Sequence, residues 1–294
     1  MSGEAYALLC AFLWALSSAM FKSQTHKGHV TTLIVLRTLP PLIGYWGVLV
    51  FTGQIRALGQ LSPRTWLFLC GSSVAGMVIG DLMYVQSMKL IGLSRTMPLA
   101  YTYIFITILL AWALLGEEVR WTVVGGAVLI ACGAYLLAIP RGAMAATTSQ
   151  ATRRTNTIGV VLALATAVCW ASDTVLLRAG VQEVSVVTAN AIRLSMPMLA
   201  LLPLSFRVGD IRQLGQYGAR TLIILFLTGL IGAGLGTFAF VSAVQLAGAA
   251  RTSVITAASP LFAVPLSLLL KERPSSRTWV GTALIVAGVW LTMM

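Results

Sequence analysis

Four charged residues, Arg37, Asp81, Asp173 and Arg193, stand inside long apolar runs of this 294-residue chain. A charge at such a position costs roughly 2.5–3.5 kcal/mol on membrane-insertion scales, so each is a candidate functional group. Arg37 and Arg193 lie about two turns inside their runs. A guanidinium there either clamps a carboxylate or phosphate of a substrate or pairs with protein acceptors at a gate. Asp81 and Asp173 have a different chemistry. A carboxyl group in a partly wet cavity can take up and release a proton, which makes both acids candidate coupling groups; the competing reading is that each neutralises a nearby basic residue.

Asp173 follows Trp170 by three residues, so the two share one helical face, and Trp14 and Ser17 stand in the same relation. An aromatic plane beside a polar hook suits a small amphipathic solute, although the tryptophans could equally pack against neighbouring helices. Tyr84, Tyr101, Tyr103, Thr256 and Ser259 are further candidates for substrate binding or gating, hydroxyls that can also bond a neighbouring carbonyl. Other chemistries find no support. The sequence has no GxxxxGK[ST], HExxH or GxSxG pattern, His26 and His29 share one loop, and neither aspartate sits in the setting of an intramembrane aspartyl enzyme. Cys10, Cys70, Cys132 and Cys169 fall singly within apolar runs and read as small packing residues. No enzyme activity, cofactor or metal is expected.

The elements that carry these residues must be membrane helices. The chain is 58% hydrophobic and 10% charged, with a mean hydropathy of +0.89, outside the range of a soluble domain. Lipid admits only helices and closed barrels, and apolar runs of about 20 residues fit helices. Spans are expected near 4–21, 31–52, 65–88, 96–115, 121–139, 157–177, 185–205, 219–245, 252–270 and 277–293. The first could pass for a signal peptide, but it lacks a basic leader, carries Glu4 and has a counterpart later in the chain. A net charge of +12 would suggest nucleic acid in a soluble protein. Here the basic residues sit singly in short loops, which is topogenic charge, and no nucleic-acid partner is expected.

The polar stretch 140–156 reads as a linker between two halves, 1–139 and 157–294, of five spans each. A shift of 156 positions superimposes them: Trp14 meets Trp170, Arg37 meets Arg193, Pro41 meets Pro197, Gly76 and Gly80 meet Gly232 and Gly236, and Gly92 meets Gly248. After the fourth span the shift becomes 155, so that Glu117 meets Glu272, Gly126 meets Gly281 and Gly133 meets Gly288. Five is odd, so two halves that both cross the membrane fully must be inverted relative to each other. The acids break the symmetry: Asp81 has Thr237 opposite it, and Asp173 has Ser17. The GxxxG pairs Gly76/Gly80 and Gly232/Gly236 read as close-packing surfaces, and the glycines seven apart in spans 5 and 10 as a packing or dimer seam.

In these features the chain resembles the EamA-type, ten-helix members of the drug/metabolite transporter superfamily. The resemblance rests on the Trp in an Ala-rich first helix of each half (AFLWA, AVCWA), the lone Arg of helices 2 and 7 (VLRTLP, AIRLSMP), the endings LLGEE and LLKER, the ASPLFAVPL of helix 9, and the Gly-spaced helices 5 and 10. Helix 4 departs from the pattern, with Pro98 earlier than the position opposite Pro260. The resemblance implies an all-α membrane protein, ten transmembrane helices as two inverted five-helix repeats, with a central cavity lined by helices 1–4 and 6–9. It also implies a multi-pass secondary transporter of the cell membrane that moves amino acids or related small metabolites by alternating access. A flippase for a lipid-linked sugar or similar amphiphile is the alternative. The expected partners are a small-molecule substrate, protons, membrane lipid and a second copy of the chain as a homodimer. Sites of inverted repeats lie at the shared interface, so Trp14, Arg37, Asp173 and Arg193 are expected to face one cavity.

Charge also bears on orientation. The side of the membrane that holds the linker, with Arg141, Arg153 and Arg154, carries thirteen basic residues in its loops against five on the other. The positive-inside rule places that side in the cytoplasm and both termini outside, whereas relatives are usually drawn with cytoplasmic termini. The charge rule predicts that a single cysteine replacing Ser149, in a cysteine-free background, stays unreactive towards an impermeant maleimide on intact cells. Labelling from outside would reverse the assignment.

Overall fold

A backbone in lipid must satisfy its N–H and C=O groups locally, and in the computed structural model every regular element among the described residues is helical. The structure describes residues 1–24, 27–138, 150–208, 215, 217–262 and 276–294. The helices are α1 (Gly3–Lys22), α2 (Val30–Phe51), α3 (Pro63–Ile91), α4 in two pieces, Leu93–Ala100 and Tyr103–Leu115, α5 (Trp121–Ala138), α6 (Gln150–Gly180), α7 (Val186–Val208), α8 (Ala219–Ala247), α9 (Ala249–Thr256) and α10 (Ser276–Met293). Among the described residues seven helical spans are long and apolar enough to cross a bilayer, and α5 and α10 contribute shorter apolar helices. The last part of the ninth expected span lies outside the described residues. Outward faces carry Ile43, Leu109, Trp112, Leu235 and Trp290, as a hydrocarbon solvent requires. Trp66, Trp121 and Trp279 sit in the first turns of α3, α5 and α10, where an amphipathic ring suits the headgroup level.

Helix ends follow local chemistry. Ser62 caps α3 by accepting from the Thr65 N–H, with Pro63 at the first helical position. Ser185 caps α7 through the Thr188 N–H. Helix α6 starts at Gln150, inside the stretch expected as linker; residues 139–149 lie outside the described part. Polar turns beyond the hydrocarbon leave no hydropathy signal, so hydropathy places the start of this helix only near residue 157. Gly92 (φ 79°) and Gly248 (φ 87°), repeat equivalents, take the left-handed backbone that lets α4 and α9 restart at once after the preceding helix.

Two irregularities recur in both repeats. Val74–Gly80 of α3 and Gly229–Gly236 of α8 are π-helical, so the same glycine-rich segment is wound wider in each half. Helix α4 breaks at Tyr101–Thr102, and the helix begun by α9 breaks at Ala257–Ser259, equivalent positions. In α9 the cause is Pro260, whose ring excludes a regular turn before it. Helix α4 has no proline there. Its break is held by short-range bonds from Thr102 N–H to Leu99 O (3.2 Å) and Ile104 N–H to Tyr101 O (3.2 Å), while the Thr102 hydroxyl also donates to Leu99 O (2.6 Å). The kinks are symmetric although the prolines are not.

The helices gather into two compact units that do not follow the sequence halves. One comprises Met1–Val74 with Leu176–Ala247, the other Ala75–Val175 with Gly248–Met294. In the first, α1 packs on α8 and α2 on α7, around a core that includes Cys10, Leu69, Leu177, Ile192, Phe240 and Val244. The Trp46 indole donates to the Ser195 hydroxyl (3.1 Å) and the Tyr45 hydroxyl to Gly234 O (2.9 Å). In the second unit, α6 packs on the latter part of α3: Thr166 donates to Gly80 O (3.4 Å) and Ser87 to Gly159 O (2.8 Å). Glu117, just past α4, accepts the first N–H groups of α9 on both carboxylate oxygens, from Ala249 (2.8 Å) and Ala250 (3.1 Å), an anion at the positive end of a helix.

Helices α5 and α10 meet through their glycines. A β-carbon at Gly126 would lie 2.6 Å from Gly288 O, and one at Gly133 would lie 2.5 Å from Gly281 O. Residue number rises along one helix as it falls along the other, so these repeat-equivalent helices are antiparallel, as inversion demands. The fold is thus all-α, a ten-helix membrane protein of two inverted five-helix repeats. Gly288→Val should destabilise the protein by about 1–3 kcal/mol through overpacking against Gly126 O. Gly44→Val, at a site with nothing within 4 Å, should leave the thermal unfolding midpoint in detergent unchanged; equal effects of the two would refute the seam.

Candidate functional site

The candidates fall into two groups, one in each unit. In the unit Ala75–Val175 with Gly248–Met294, seven of them form a connected cluster around Trp170. Its indole N–H donates to Asp81 Oδ1 (3.1 Å). The Tyr84 ring lies 5.1 Å from it at 41°, and the Tyr103 ring 5.9 Å away, edge-on at 87°. Tyr101 stands 6.3 Å from Tyr103, and its hydroxyl pairs with the Ser259 hydroxyl (3.3 Å). The Tyr103 hydroxyl donates to Ser253 O (3.1 Å) and lies 3.5 Å from Thr256 Oγ1. The breaks in α4 and α9 fall within this cluster, and the Tyr101–Ser259 bond joins residues of the two breaks.

Asp173, the eighth candidate of this unit, lies one turn beyond Trp170. It is 9% exposed and sits against Gly76, where any β-carbon would collide with its carboxylate. Trp170 in turn covers Gly80, whose β-carbon would lie 2.9 Å from the indole Cδ1. The GxxxG pair therefore works as a bed for Asp173 and Trp170, and the missing side chains are what let α6 approach the π-helical segment this closely.

The other unit repeats the arrangement with different chemistry. Trp14 covers Gly236, with Cδ1 2.7 Å from where a β-carbon would be, and Ser17 lies against Gly232. The Trp14 ring is 5.1 Å from Phe240 at 36°, nearly the geometry of Trp170 on Tyr84, and Phe240 is the repeat counterpart of Tyr84. The Ser17 hydroxyl is committed to Thr228 O (2.9 Å), and Thr237, opposite Asp81, donates to its own helix at Ala233 O. Arg193 is 2% exposed. Its guanidinium lies 6.0 Å from the Phe240 ring, its Nε donates to the Ser72 hydroxyl (3.1 Å), and its carbonyl accepts from Ser73. Arg37 lies 4.8 Å over the Phe21 ring, with its carbonyl against Gly229. Trp14, Phe240 and Arg193 form one chain of contacts; Arg37 and Ser17 meet the segment Thr228–Gly232 beside it.

Sequence reasoning missed Phe240, Ser72 and Ser73. Phe240 was within reach, because the 156-residue shift that relates Trp14 to Trp170 also carries Tyr84 onto it. The serines carried no signal, since which helix supplies a buried arginine's acceptor depends on packing. Among the described residues no group of three or more His, Cys, Asp or Glu side chains could hold a metal ion.

The EamA-like transporter family profile matches residues 1–139 and 157–294. A protein of Archaeoglobus fulgidus described as an uncharacterized transporter is 24% identical over 293 residues, covering 98% of this chain and 96% of its own. An uncharacterized transporter in the cobO 3′ region of a Sinorhizobium species is 29% identical over 140 residues, 47% of this chain and 97% of its own. A solved crystal structure superimposes with a TM-score of 0.76 at 20% identity, over 99% of this chain and 98% of that one, a likeness of fold.

The two tryptophans make the asymmetry measurable. Trp170→Phe keeps a ring on Gly80 but releases Asp81, and should lower stability by about 1.5–3 kcal/mol, the value of a hydrogen bond to a charged group. Trp14→Phe, where residue 237 is threonine, should cost clearly less. Equal losses in thermal unfolding would show that the indole bond to Asp81 contributes nothing.

Proposed function

We propose that this chain, which belongs to the EamA-like transporter family, is a secondary active transporter, an exporter or exchanger of amino acids or related small metabolites, working by alternating access in the cell membrane. That it is a multi-pass membrane transporter follows from the family and from its apolar helices. The observation that carries the finer reading is the cluster around Trp170. The Asp81 carboxylate, three tyrosines and an indole are gathered on α3, α4 and α6, with Asp173 one turn further along α6, and two of those helices are broken or widened where they meet the cluster. Aromatic faces with carboxylates beside them suit a small solute with an ammonium group.

The coupling step belongs to the carboxyl group beside this cluster. Asp173, nearly enclosed against Gly76, takes a proton from one side and returns it to the other as the binding site changes its exposure, so a proton gradient drives net movement of solute. With the carboxyl always neutral, solute can still exchange for solute, but the gradient has no handle. Arg37 and Arg193 serve the same cycle as gate or positioning residues, Arg193 through its bonds to Ser72 and Ser73 of α3.

The test is transport by purified protein in proteoliposomes, with an imposed pH gradient and labelled amino acids. The wild type should accumulate solute when the gradient is present. Asp173→Asn should abolish gradient-driven accumulation while retaining counterflow exchange. Gradient-driven transport unchanged in this variant would remove Asp173 from the coupling step, and transport of lipid-linked sugars without amino-acid counterflow would replace the substrate class.

A further inference from the structure

One member of the cluster around Trp170 is held from outside it. Tyr103 rests its ring edge-on against Trp170 (5.9 Å, 87°) and spends its hydroxyl on Ser253 O of α9 (3.1 Å). Where that ring stands therefore depends on where α9 stands. Helix α9 does not fix its own position. It has eight residues, Ala249–Thr256, fewer than a helix needs to persist by itself. It is bounded by the left-handed Gly248 (φ 87°) at one end and by the break at Ala257–Ser259 at the other.

The anchor is Glu117. The second piece of α4 (Tyr103–Leu115) ends in a Schellman turn, with Gly116 left-handed (φ 64°) and the Glu117 N–H donating to Ala111 O (3.1 Å). That turn carries the Glu117 side chain onto α9, where its two carboxylate oxygens accept the Ala249 and Ala250 N–H groups (2.8 and 3.1 Å). The fit is close, since a β-carbon at Gly248 would lie 2.8 Å from Glu117 Oε1. Two charge-assisted bonds at the positive end of a helix hold both its axial position and its rotation. One turn along α9, the Ser253 hydroxyl donates to Ala249 O (2.9 Å), and the Ser253 carbonyl is the group that receives Tyr103. The two helical pieces pack on each other in opposite directions. They are tied at both ends, by Glu117 at one and by Tyr103 at the other. A helix cap has no consequence beyond its own helix, but here the capped helix carries the acceptor that holds a ring of the cluster.

We propose that Glu117 is a positioning residue for the transport site, which sets the Tyr103 ring against Trp170 by way of α9. It does so from the far end of a helical piece roughly 20 Å long. The assignment rests on the reading of the Trp170 cluster as the binding site. It makes the second piece of α4 and α9, which come from different repeats, a single body that enters the cluster through Tyr103.

The test follows the ring directly. 3-Fluorotyrosine installed at position 103 of the full chain in detergent reports its surroundings by fluorine NMR, and Trp170→Phe supplies the shift expected when the indole is lost. Glu117→Ala should displace or split the resonance, and Glu117→Gln, which keeps one carbonyl acceptor, should do so less. Glu118→Ala, which removes the same charge from the exposed neighbouring residue, should leave it unchanged. An unchanged resonance in folded Glu117→Ala, or an equal effect of Glu118→Ala, would overturn the assignment. Transport gives the second readout, a double-mutant cycle in proteoliposomes with each standard amino acid in labelled form. Glu117→Ala should raise the KM for counterflow about fivefold. It should add nothing in a Tyr103→Phe background, where the link to Ser253 is already gone. Additive effects would make Glu117 a general stabiliser and sink the positioning role. Absence of counterflow for every amino acid would refute the substrate reading, while the fluorine resonance would still decide whether Glu117 places Tyr103. If Glu117→Ala fails to fold, hydrogen exchange of the wild type decides. The Ala249 and Ala250 amides should exchange as slowly as those of Ser253 and Val254, and fast exchange at the first two would refute the anchor.

Discussion

Hydrocarbon offers no hydrogen bond, and most of what is unusual in this chain follows from meeting that constraint inside the protein. Arg193 is the sharpest case. It is nearly enclosed, and the described structure answers its charge with the Ser72 hydroxyl and the face of Phe240. The turn of α3 just before its π-helical segment is thereby fixed to α7, and Ser73 adds a second tie at the arginine's own carbonyl. The same constraint explains the hydroxyls that bond backbone carbonyls, Thr256 on its own helix at Thr252 O and Ser17 across to α8 at Thr228 O. It also explains the two breaks. A helix can lose its regular bonds within the membrane only where other groups take them up, and at the α4 break the Thr102 hydroxyl does this at Leu99 O.

Packing obeys a second rule that the repeats share. The first helix of each half lies on the π-helical segment of the other half's third helix, through an indole on one glycine and a shorter side chain on the glycine four residues before. Two independent copies of that contact, with ring distances of 5.1 Å in each, mean that the glycines are constrained by what must lie on them. Any side chain at Gly76 or Gly232 would displace Asp173 or Ser17, so the position of the candidate coupling acid is set by an absence of atoms across from it. Widening the helix to a π-turn there moves the glycine backbone into reach and exposes carbonyls, one of which, Gly80 O, is met by Thr166.

Much of this was legible in the sequence, and the remainder was not for definite reasons. Span positions follow from hydropathy, and the repeat follows from coincidences of Trp, Arg, Pro and Gly at one shift; α5 and α10 then show the inversion that an odd number of spans requires. The shift also relates residues across halves, which is why Trp170, Asp173 and their counterparts could be singled out together. It says nothing about which helices touch, so that Trp14 would rest on Gly236 and not on its neighbours in the first half was beyond it. The kink of α4 was invisible because its cause is a threonine hydroxyl and two tyrosine tethers, side chains that occur in straight helices as well. The first turns of α6 are polar and outside the hydrocarbon, where hydropathy carries no information.

The symmetric frame gives the asymmetric residues their meaning. Between equivalent positions, Ser17 becomes Asp173, Thr237 becomes Asp81 and Phe240 becomes Tyr84, and every change adds polarity to the cluster around Trp170. In the frame around Trp14 the corresponding hydroxyls are consumed by backbone carbonyls, and the ring opposite the indole is apolar, so that copy is complete as packing. Packing alone therefore does not require an acid at 81 or 173, because the same backbone arrangement is built without one. A buried acid such as Asp173 costs stability that the other copy does without, and this asymmetry supports the coupling role proposed for the frame around Trp170.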